Sequence, residues 1–257
     1  MVAMTAPILH KRRLAQGIFE YLLHCPEAAA QAAAGQFLHL KTLGFSLRRP
    51  ISICRIDREA GSLTLVLEVR GPGTEALARL GEGDLMDFIG PVGHGFELLP
   101  PTASAVVVGG GIGTPPLLEL GAHYGANAHA FLGFRTAGAV ILADDFKALG
   151  CRVGVATDDG SSGHHGLVTH LLAGHLQTAR PDIIYTCGPR PMIAAVAALA
   201  REHGVRCQVS LEERMACGVG ACLGCACRTT GEDGSVVYRH VCKDGPVFEA
   251  GDVDLAP

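Results

Sequence analysis

The sequence predicts a multidomain α+β chain: a small antiparallel β-barrel, then a parallel α/β sheet, then a short cysteine-rich C-terminal region. Three observations carry this. Residues 2–57 hold apolar runs rich in β-formers, cut by turn residues and nearly free of helical periodicity. From Ala105 to Leu211, apolar strands alternate with helical runs, the pattern of a parallel sheet with crossover helices. Between Glu213 and Cys242 the cysteines stand as C-x4-C-x2-C with a distant fourth. The expected boundaries are residues 1–100, 101–211 and 212–257.

The bulk numbers exclude several classes. A chain of 257 residues has room for two or three domains and a sizeable core. With 48% hydrophobic and 18% charged residues it is folded rather than disordered. A formal net charge of -4 gives no basic field for nucleic acid or an anionic membrane. The longest apolar stretch, Ala103 to Leu118, is broken by Gly109, Gly110, Gly111, Gly113, Pro115 and Pro116. A membrane span needs about 20 mostly apolar residues and rarely tolerates such breakers. The start lacks a secretory signal pattern. Cys25, Cys54, Cys151, Cys187 and Cys207 are scattered without a pairing pattern. A reduced, cytoplasmic chain is the expectation.

In the first region Gln36–Leu40, Ile51–Ile53 and Ser62–Val69 read as strands. The alanine run 28–34 reads as a helical turn or loop. A helix is expected after Gly71-Pro72-Gly73, with Thr74 as cap and Glu75 in its first turn. Arg48-Arg49-Pro50-Ile51-Ser52 sets an arginine and a serine three apart on an extended rim. Arginine grips phosphate through two parallel hydrogen bonds, and serine can bond a ring heteroatom. The segment alone fits a ligand rim and an ordinary solvated strand equally. Gly90–Phe96 closes the region as a glycine-rich turn, with no role assigned to His94.

In the second region Ala105–Val108 is a buried strand, followed by Gly109-Gly110-Gly111-Ile112-Gly113-Thr114-Pro115-Pro116 and a helical run to His123. Strand, glycine loop and helix form a dinucleotide cradle, because glycine lets the backbone approach a pyrophosphate near a helix N-terminus. The G-x-G-x-x-G fingerprint is incomplete. Thr114 holds its last position, and Phe131-Leu132-Gly133-Phe134-Arg135 supplies no acidic residue at the next strand end. A tight βα turn is the alternative. Further strands are Ala128–Leu132, Arg152–Ala156, Asp182–Tyr185 and Arg206–Leu211, with helices near Val140–Leu149, Gly166–Leu176 and Met192–His203. Ligands bind such sheets at the carboxyl strand ends. There Cys187 either projects into the crevice or is a small buried thiol.

The C-terminal spacing of Cys217, Cys222, Cys225 and Cys242 is that of a plant-type [2Fe–2S] cluster. Thiolates are soft enough to hold iron and sulfide together. Gly218, Gly220 and Gly224 allow the loop to wrap a small cluster. A structural zinc site usually shows two short C-x2-4-C knuckles, and a disulfide framework suits a short secreted chain. Cys227 reads as a packing thiol, with exchange for Cys225 as the alternative.

Together, the barrel with RPIS, the GGGIGTPPL loop and the CGPRPM strand end resemble the ferredoxin–NADP reductase superfamily across nearly the whole chain. The resemblance implies a Greek-key barrel that binds FAD and an α/β domain that binds NAD(P). MACGVGACLGCAC…HVCKDGPVF, with GQFLHL, RRPISI, LGFR and TDDGS, narrows it to the electron-transfer subunits of two-subunit, NAD-linked dihydroorotate dehydrogenases. The resemblance then implies Arg49, Pro50, Ile51 and Ser52 at FAD, with Arg49 on its phosphate and Ser52 near the flavin ring. Gly73 and Thr74 fall at the FAD pyrophosphate. Val66, Leu67 and Glu68 form a second FAD segment; Leu67 and Glu68 stand where the family usually shows an aromatic and an arginine, and Arg70 is the substitute at hand. Gly110, Gly111, Ile112, Gly113 and Thr114 face the phosphates of NAD+ or NADH. Cys187 is the catalytic candidate, near the nicotinamide. Cys217, Cys222, Cys225 and Cys242 are the cluster ligands.

A nicotinamide moves two electrons as hydride and a [2Fe–2S] centre moves one, so FAD is needed between them. The chain has no room for a dihydroorotate-oxidising domain. The implied partner is an FMN-containing catalytic subunit, in a heterotetramer of two of each, feeding de novo pyrimidine (UMP) biosynthesis. The same parts occur in NAD(P)H-oxidising subunits of hydrogenases and in NADH-dependent ferredoxin:NADP oxidoreductases, which is the alternative. An arginine at 135 suits a 2′-phosphate, whereas the family uses NADH. A zinc-holding binding module explains the cysteines and leaves the other motifs unexplained.

Overall fold

The computed structural model describes residues 3–231 and 233–255. It divides into two compact units. One comprises Met1–Gly95, Glu212–Cys227 and Arg239–Pro246; the other comprises Phe96–Leu211, Arg228–Tyr238 and Val247–Pro257.

The first unit is built on β1 (Ala3–Ala15), β2 (Ile18–His24), α1 (Pro26–Gln31), β3 (Phe37–Leu40), β4 (Arg49–Asp57), β5 (Ser62–Glu68), α2 (Pro72–Ala78) and β6 (Leu85–Val92). The strands close into an antiparallel barrel in the order β1-β2-β5-β4-β3-β6. Side chains alternate across each strand. Tyr21, Leu38, Leu40, Leu65, Leu67 and Phe88 fill the barrel. The alanine run forms α1, whose Ala28 and Ala29 pack into the same core with little side chain to accommodate.

The other face of β3 carries Phe37 and His39. They point away from the barrel interior, yet only 2% and 0% of them is exposed. Across the ladder Phe37 faces Ser52 and His39 faces Pro50. The β4–β5 ladder runs only from Ile53–Leu65 to Asp57–Ser62. Arg49–Ser52 and Val66–Glu68 lie beyond it, on the two sides of a seam where the strands part.

The second unit contains β7 (Ala105–Gly110), α3 (Leu118–Tyr124), β8 (Ala128–Phe134), α4 (Ala143–Ala148), β9 (Arg152–Thr157), β10 (His164–His165), α5 (Val168–Leu176), β11 (Ile183–Cys187), α6 (Arg190–Glu202) and β12 (Arg206–Ser210). Towards the C-terminus the chain adds a hairpin of β13 (Ala226–Thr230) and β14 (Val236–His240), then β15 (Val247–Glu249). The sheet order is β10-β9-β8-β7-β11-β12-β15. All pairings are parallel except β12–β15. The sequence reading ends the sheet at Leu211. The structure adds β15, because Val247 and Phe248 supply a short apolar pair for the open edge of β12.

Chain order reverses between β7 and β11, so the sheet has its switch point there. The glycine loop does not open directly into an α-helix. Two 3-10 turns, Gly111–Gly113 and Pro115–Leu117, precede α3, since Pro115 and Pro116 bring no amide hydrogen. The buried tyrosines are matched: the Tyr185 hydroxyl bonds the Glu97 carbonyl at 2.9 Å and the Tyr124 hydroxyl at 2.7 Å. Arg206 bridges Glu97 and Glu249, at 2.5 and 2.6 Å, which ties β12 to β15. Among the described residues no helix is long and apolar enough to cross a membrane.

Phe88 is fully buried in the barrel core. Phe88→Ala is expected to cost about 3–5 kcal/mol in urea unfolding, with the denaturant slope unchanged. A loss under about 1 kcal/mol would mean the barrel is not packed as described.

Candidate cluster, flavin and dinucleotide sites

All four predicted cluster ligands lie in the first unit, on the loop before β13 and the segment after β14. Their thiols influence one another in two pairs, Cys217 with Cys222 and Cys225 with Cys242. Cys225 and Cys242 are buried, whereas Cys217 and Cys222 are half-buried. Backbone amides point at the sulfurs: Gly220 to Cys242 at 3.2 Å, Val219 to Cys217 and Gly224 to Cys222 at 3.5 Å each. The Val219 amide is the main reason the Cys217 thiol falls to about 6. Burial, then the bond with Cys225, pushes Cys242 up to about 12. That buried thiol resists ionising until a cation is beside it.

The residues present fit a two-iron cluster. Such a cluster takes two thiolates per iron, and two thiol pairs are what the loop offers. Among the described residues no three His, Cys, Asp or Glu side chains are placed to share a single metal ion. Cys227 is turned elsewhere and donates its thiol to the Arg239 carbonyl at 3.4 Å. The turn is possible because Gly218 and Gly220 adopt φ of 69° and 76°. Any side chain at Gly218 would also collide with His39, meeting its Nδ1 first and its Cε1 at 2.7 Å.

His94 ties the other end of the site down. Its backbone amide donates to the Gly245 carbonyl at 2.6 Å, and its Nδ1 lies 2.7 Å from the Lys243 carbonyl, next to Cys242. Sequence reasoning assigned nothing to His94 or His39. The one available signal for His39 was a histidine among the apolar residues of a four-residue strand, Phe37–Leu40.

The predicted flavin residues gather at the barrel seam. The Arg49 guanidinium lies against Gly73, where an added Cβ would sit 2.7 Å from its Cζ. It stacks over Phe45 at 5.6 Å and donates to the Leu47 carbonyl at 2.7 Å. Arg48 instead serves the barrel, bonding Asp87 Oδ1 at 2.6 Å. The Thr74 hydroxyl is spent on capping: it accepts from the Arg70 and Gly71 amides at 2.9 and 3.2 Å and donates to the Gly71 carbonyl. Anything Thr74 offers a pyrophosphate comes from its backbone. Pro50 and Ser52 share the outer face of β4, and Ile51 packs towards the core. In the second segment Leu67 is inside the barrel, 1% exposed, and Val66 is 4% exposed. Glu68 is paired with Arg70 Nε at 2.5 Å. Leu67 can reach a ligand only through its backbone, and the arginine at this end of the strand is Arg70. A cleft between parting strands, with an arginine clamped over a glycine, suits a dinucleotide with an anionic centre.

In the second unit the carboxyl ends of β7, β8, β9 and β11 bring Gly110–Thr114, Arg135, Thr157–Ser161 and Cys187 to one edge. Cys187 pairs with Gly109 in the ladder, at the switch point. A Cβ at Gly113 would lie 2.5 Å from the Cys187 carbonyl, and one at Gly110 would lie 2.6 Å from Met192 Sδ. The glycines therefore let the β7 and β11 loops close on each other. Gly111 adopts φ 53°. Thr114 is fully buried, and its hydroxyl has no hydrogen-bond partner. The Cys187 side chain is 1% exposed. Arg135 is exposed, and its carbonyl accepts from the Asp159 amide at 3.3 Å.

A family model for the iron–sulfur cluster binding domain of dihydroorotate dehydrogenase B matches residues 212–254. Over 256 residues the sequence is 41% identical to the dihydroorotate dehydrogenase B (NAD(+)) electron transfer subunit of Geobacillus thermodenitrificans, covering 96% of this chain and 97% of that one. The chain belongs to the dihydroorotate dehydrogenase B electron transfer subunit family. The family member from Caldanaerobacter subterraneus is 40% identical over 252 residues, with coverage of 97% and 98%. Among solved structures, an NADH-dependent reduced ferredoxin-NADP oxidoreductase studied for flavin-based electron bifurcation superposes with a TM-score of 0.85. It is 28% identical, over 97% of this chain and 90% of that one. Phthalate dioxygenase reductase, at 17% identity and a TM-score of 0.62 over 94% and 77% of the chains, shares the fold.

Gly113→Ala should force the β7 and β11 loops apart and raise the KM for NADH roughly tenfold, about 1.4 kcal/mol. Iron and flavin contents should be unchanged. Gly174→Ala is the control, as nothing lies within 4 Å of the added methyl. An unchanged KM in the Gly113 variant would remove this loop from the dinucleotide site.

Proposed function

We propose that this chain is the electron transfer subunit of an NAD-linked dihydroorotate dehydrogenase, acting with an FMN-containing catalytic subunit in pyrimidine biosynthesis. The observation that carries the reading is the shared location of two sites. The paired thiols and the flavin seam belong to one compact unit, so the chain holds a one-electron carrier and a flavin on the same body. When bound, the cluster exchanges single electrons, NAD+ accepts a hydride, and FAD handles both.

The residues divide the work. Cys217, Cys222, Cys225 and Cys242 hold the cluster, with the half-buried Cys217–Cys222 pair on the side open to a partner. Arg49 meets the FAD phosphates over Gly73, backed by the Thr74 backbone. Pro50, Ile51 and Ser52 border the flavin from β4; Val66, Leu67 and Glu68 border it from β5. Gly110, Gly111, Ile112, Gly113 and Thr114 line the NAD phosphates, and Cys187 stands at the switch point near the nicotinamide. By motif the chain divides into 1–100 for FAD, 101–211 for NAD and 212–257 for the cluster, with β15 of the last stretch completing the NAD sheet. The assembly is a heterotetramer of two of each subunit. The setting is cytoplasmic on this reading, since Cys25, Cys54, Cys151, Cys187 and Cys207 are scattered in the sequence without a pairing pattern.

The test uses the purified chain and its complex. Alone, it is expected to reduce artificial acceptors with NADH and to leave dihydroorotate untouched. Cys225→Ser should abolish the cluster absorption and EPR signal, while Cys227→Ser keeps both. Dihydroorotate turnover by the chain alone, or cluster loss in the Cys227 variant only, would overturn the assignment.

A further inference from the structure

His39 is a buried polar group that the sites described above leave unexplained. It lies on the outer face of β3, opposite Pro50 of the flavin segment. None of its surface is exposed, and neither ring nitrogen has a hydrogen-bond partner. Nδ1 lies against Gly218, the residue after Cys217. Arg48 Nη1 donates to the backbone carbonyl of His39 at 3.3 Å and leaves the ring free.

A buried N–H without an acceptor destabilises the fold, so native structures rarely leave one. An imidazole carries a hydrogen on at least one ring nitrogen in either charge state. The acceptor that belongs beside Gly218 is sulfur from the cluster. The loop's own amides already reach the thiols, and the His39 ring sits beside the same loop on the barrel side.

We propose that His39 donates a ring N–H to an anionic sulfur of the bound cluster, and so raises the cluster's reduction potential. A hydrogen bond to sulfur favours the reduced, more negative cluster. The inference rests on the cluster reading above and adds a residue outside the cysteine motif.

The experiment compares wild-type holoprotein with His39→Leu and His39→Gln by EPR-monitored redox titration. His39→Leu should shift the cluster's reduction equilibrium about tenfold towards the oxidised form, ~59 mV for one electron. His39→Gln, which keeps an N–H, should recover most of that. The FAD couple and the KM for NADH should not move. An unmoved cluster potential, or a shift confined to the flavin, overturns the proposal. Pulsed EPR on reduced wild type labelled with 15N-histidine covers the case where His39→Leu does not assemble. A 15N coupling that His39→Gln abolishes supports the bond; no coupling, or one that persists in that variant, refutes it. A wild-type protein without iron would instead sink the cluster reading itself.

Discussion

The cluster loop has almost no apolar core of its own, and its shape depends on where it can rest. Gly218 sets its backbone against the His39 ring so closely that a methyl group there would overlap the imidazole. His39 in turn is placed by the register of β3, which sends Leu38 and Leu40 inward and leaves Phe37 and His39 facing out. A one-residue slip of β3 would exchange those faces and remove the seat. The amides of Val219 and Gly220 that point at sulfur follow directly in the chain, and His94 holds the Cys242 end through Lys243 and Gly245.

The same barrel arrangement opens the flavin seam. β4 pairs with β3 through Arg49–Ser52 and with β5 only from Ile53 onward. The strand therefore has one paired edge and one free edge where Arg49 and Ser52 stand. Gly73 supplies the room for the Arg49 guanidinium, and the Thr74 hydroxyl fixes the turn that presents Gly73. In the second unit, glycines do for two strand ends what Gly218 does for the loop: they let backbones touch at the switch point.

Much of this was legible in the residues because the signals are local. C-x4-C-x2-C, the triple glycine after a buried strand and R-P-I-S each encode a backbone demand or a donor set. The α/β region announced itself by alternating apolar strands and helices. Other features depend on partners distant in sequence. β15 is three residues long and gains its identity only from the free edge of β12. His39 reads as one polar residue in an apolar strand until the loop at Gly218 covers it. Leu67 matched a flavin segment by position, yet the strand's alternation turns its side chain inward. The prolines after the glycine loop were visible, but their effect, two 3-10 turns before α3, depends on how the missing amides are accommodated.

One chain is expected to carry both a two-iron cluster and a flavin. Iron, acid-labile sulfide and flavin analysis of the natively purified protein tests it most directly. The expected result is a brown protein with two iron, two sulfide and one FAD per chain. A colourless protein that contains zinc and lacks flavin would contradict it.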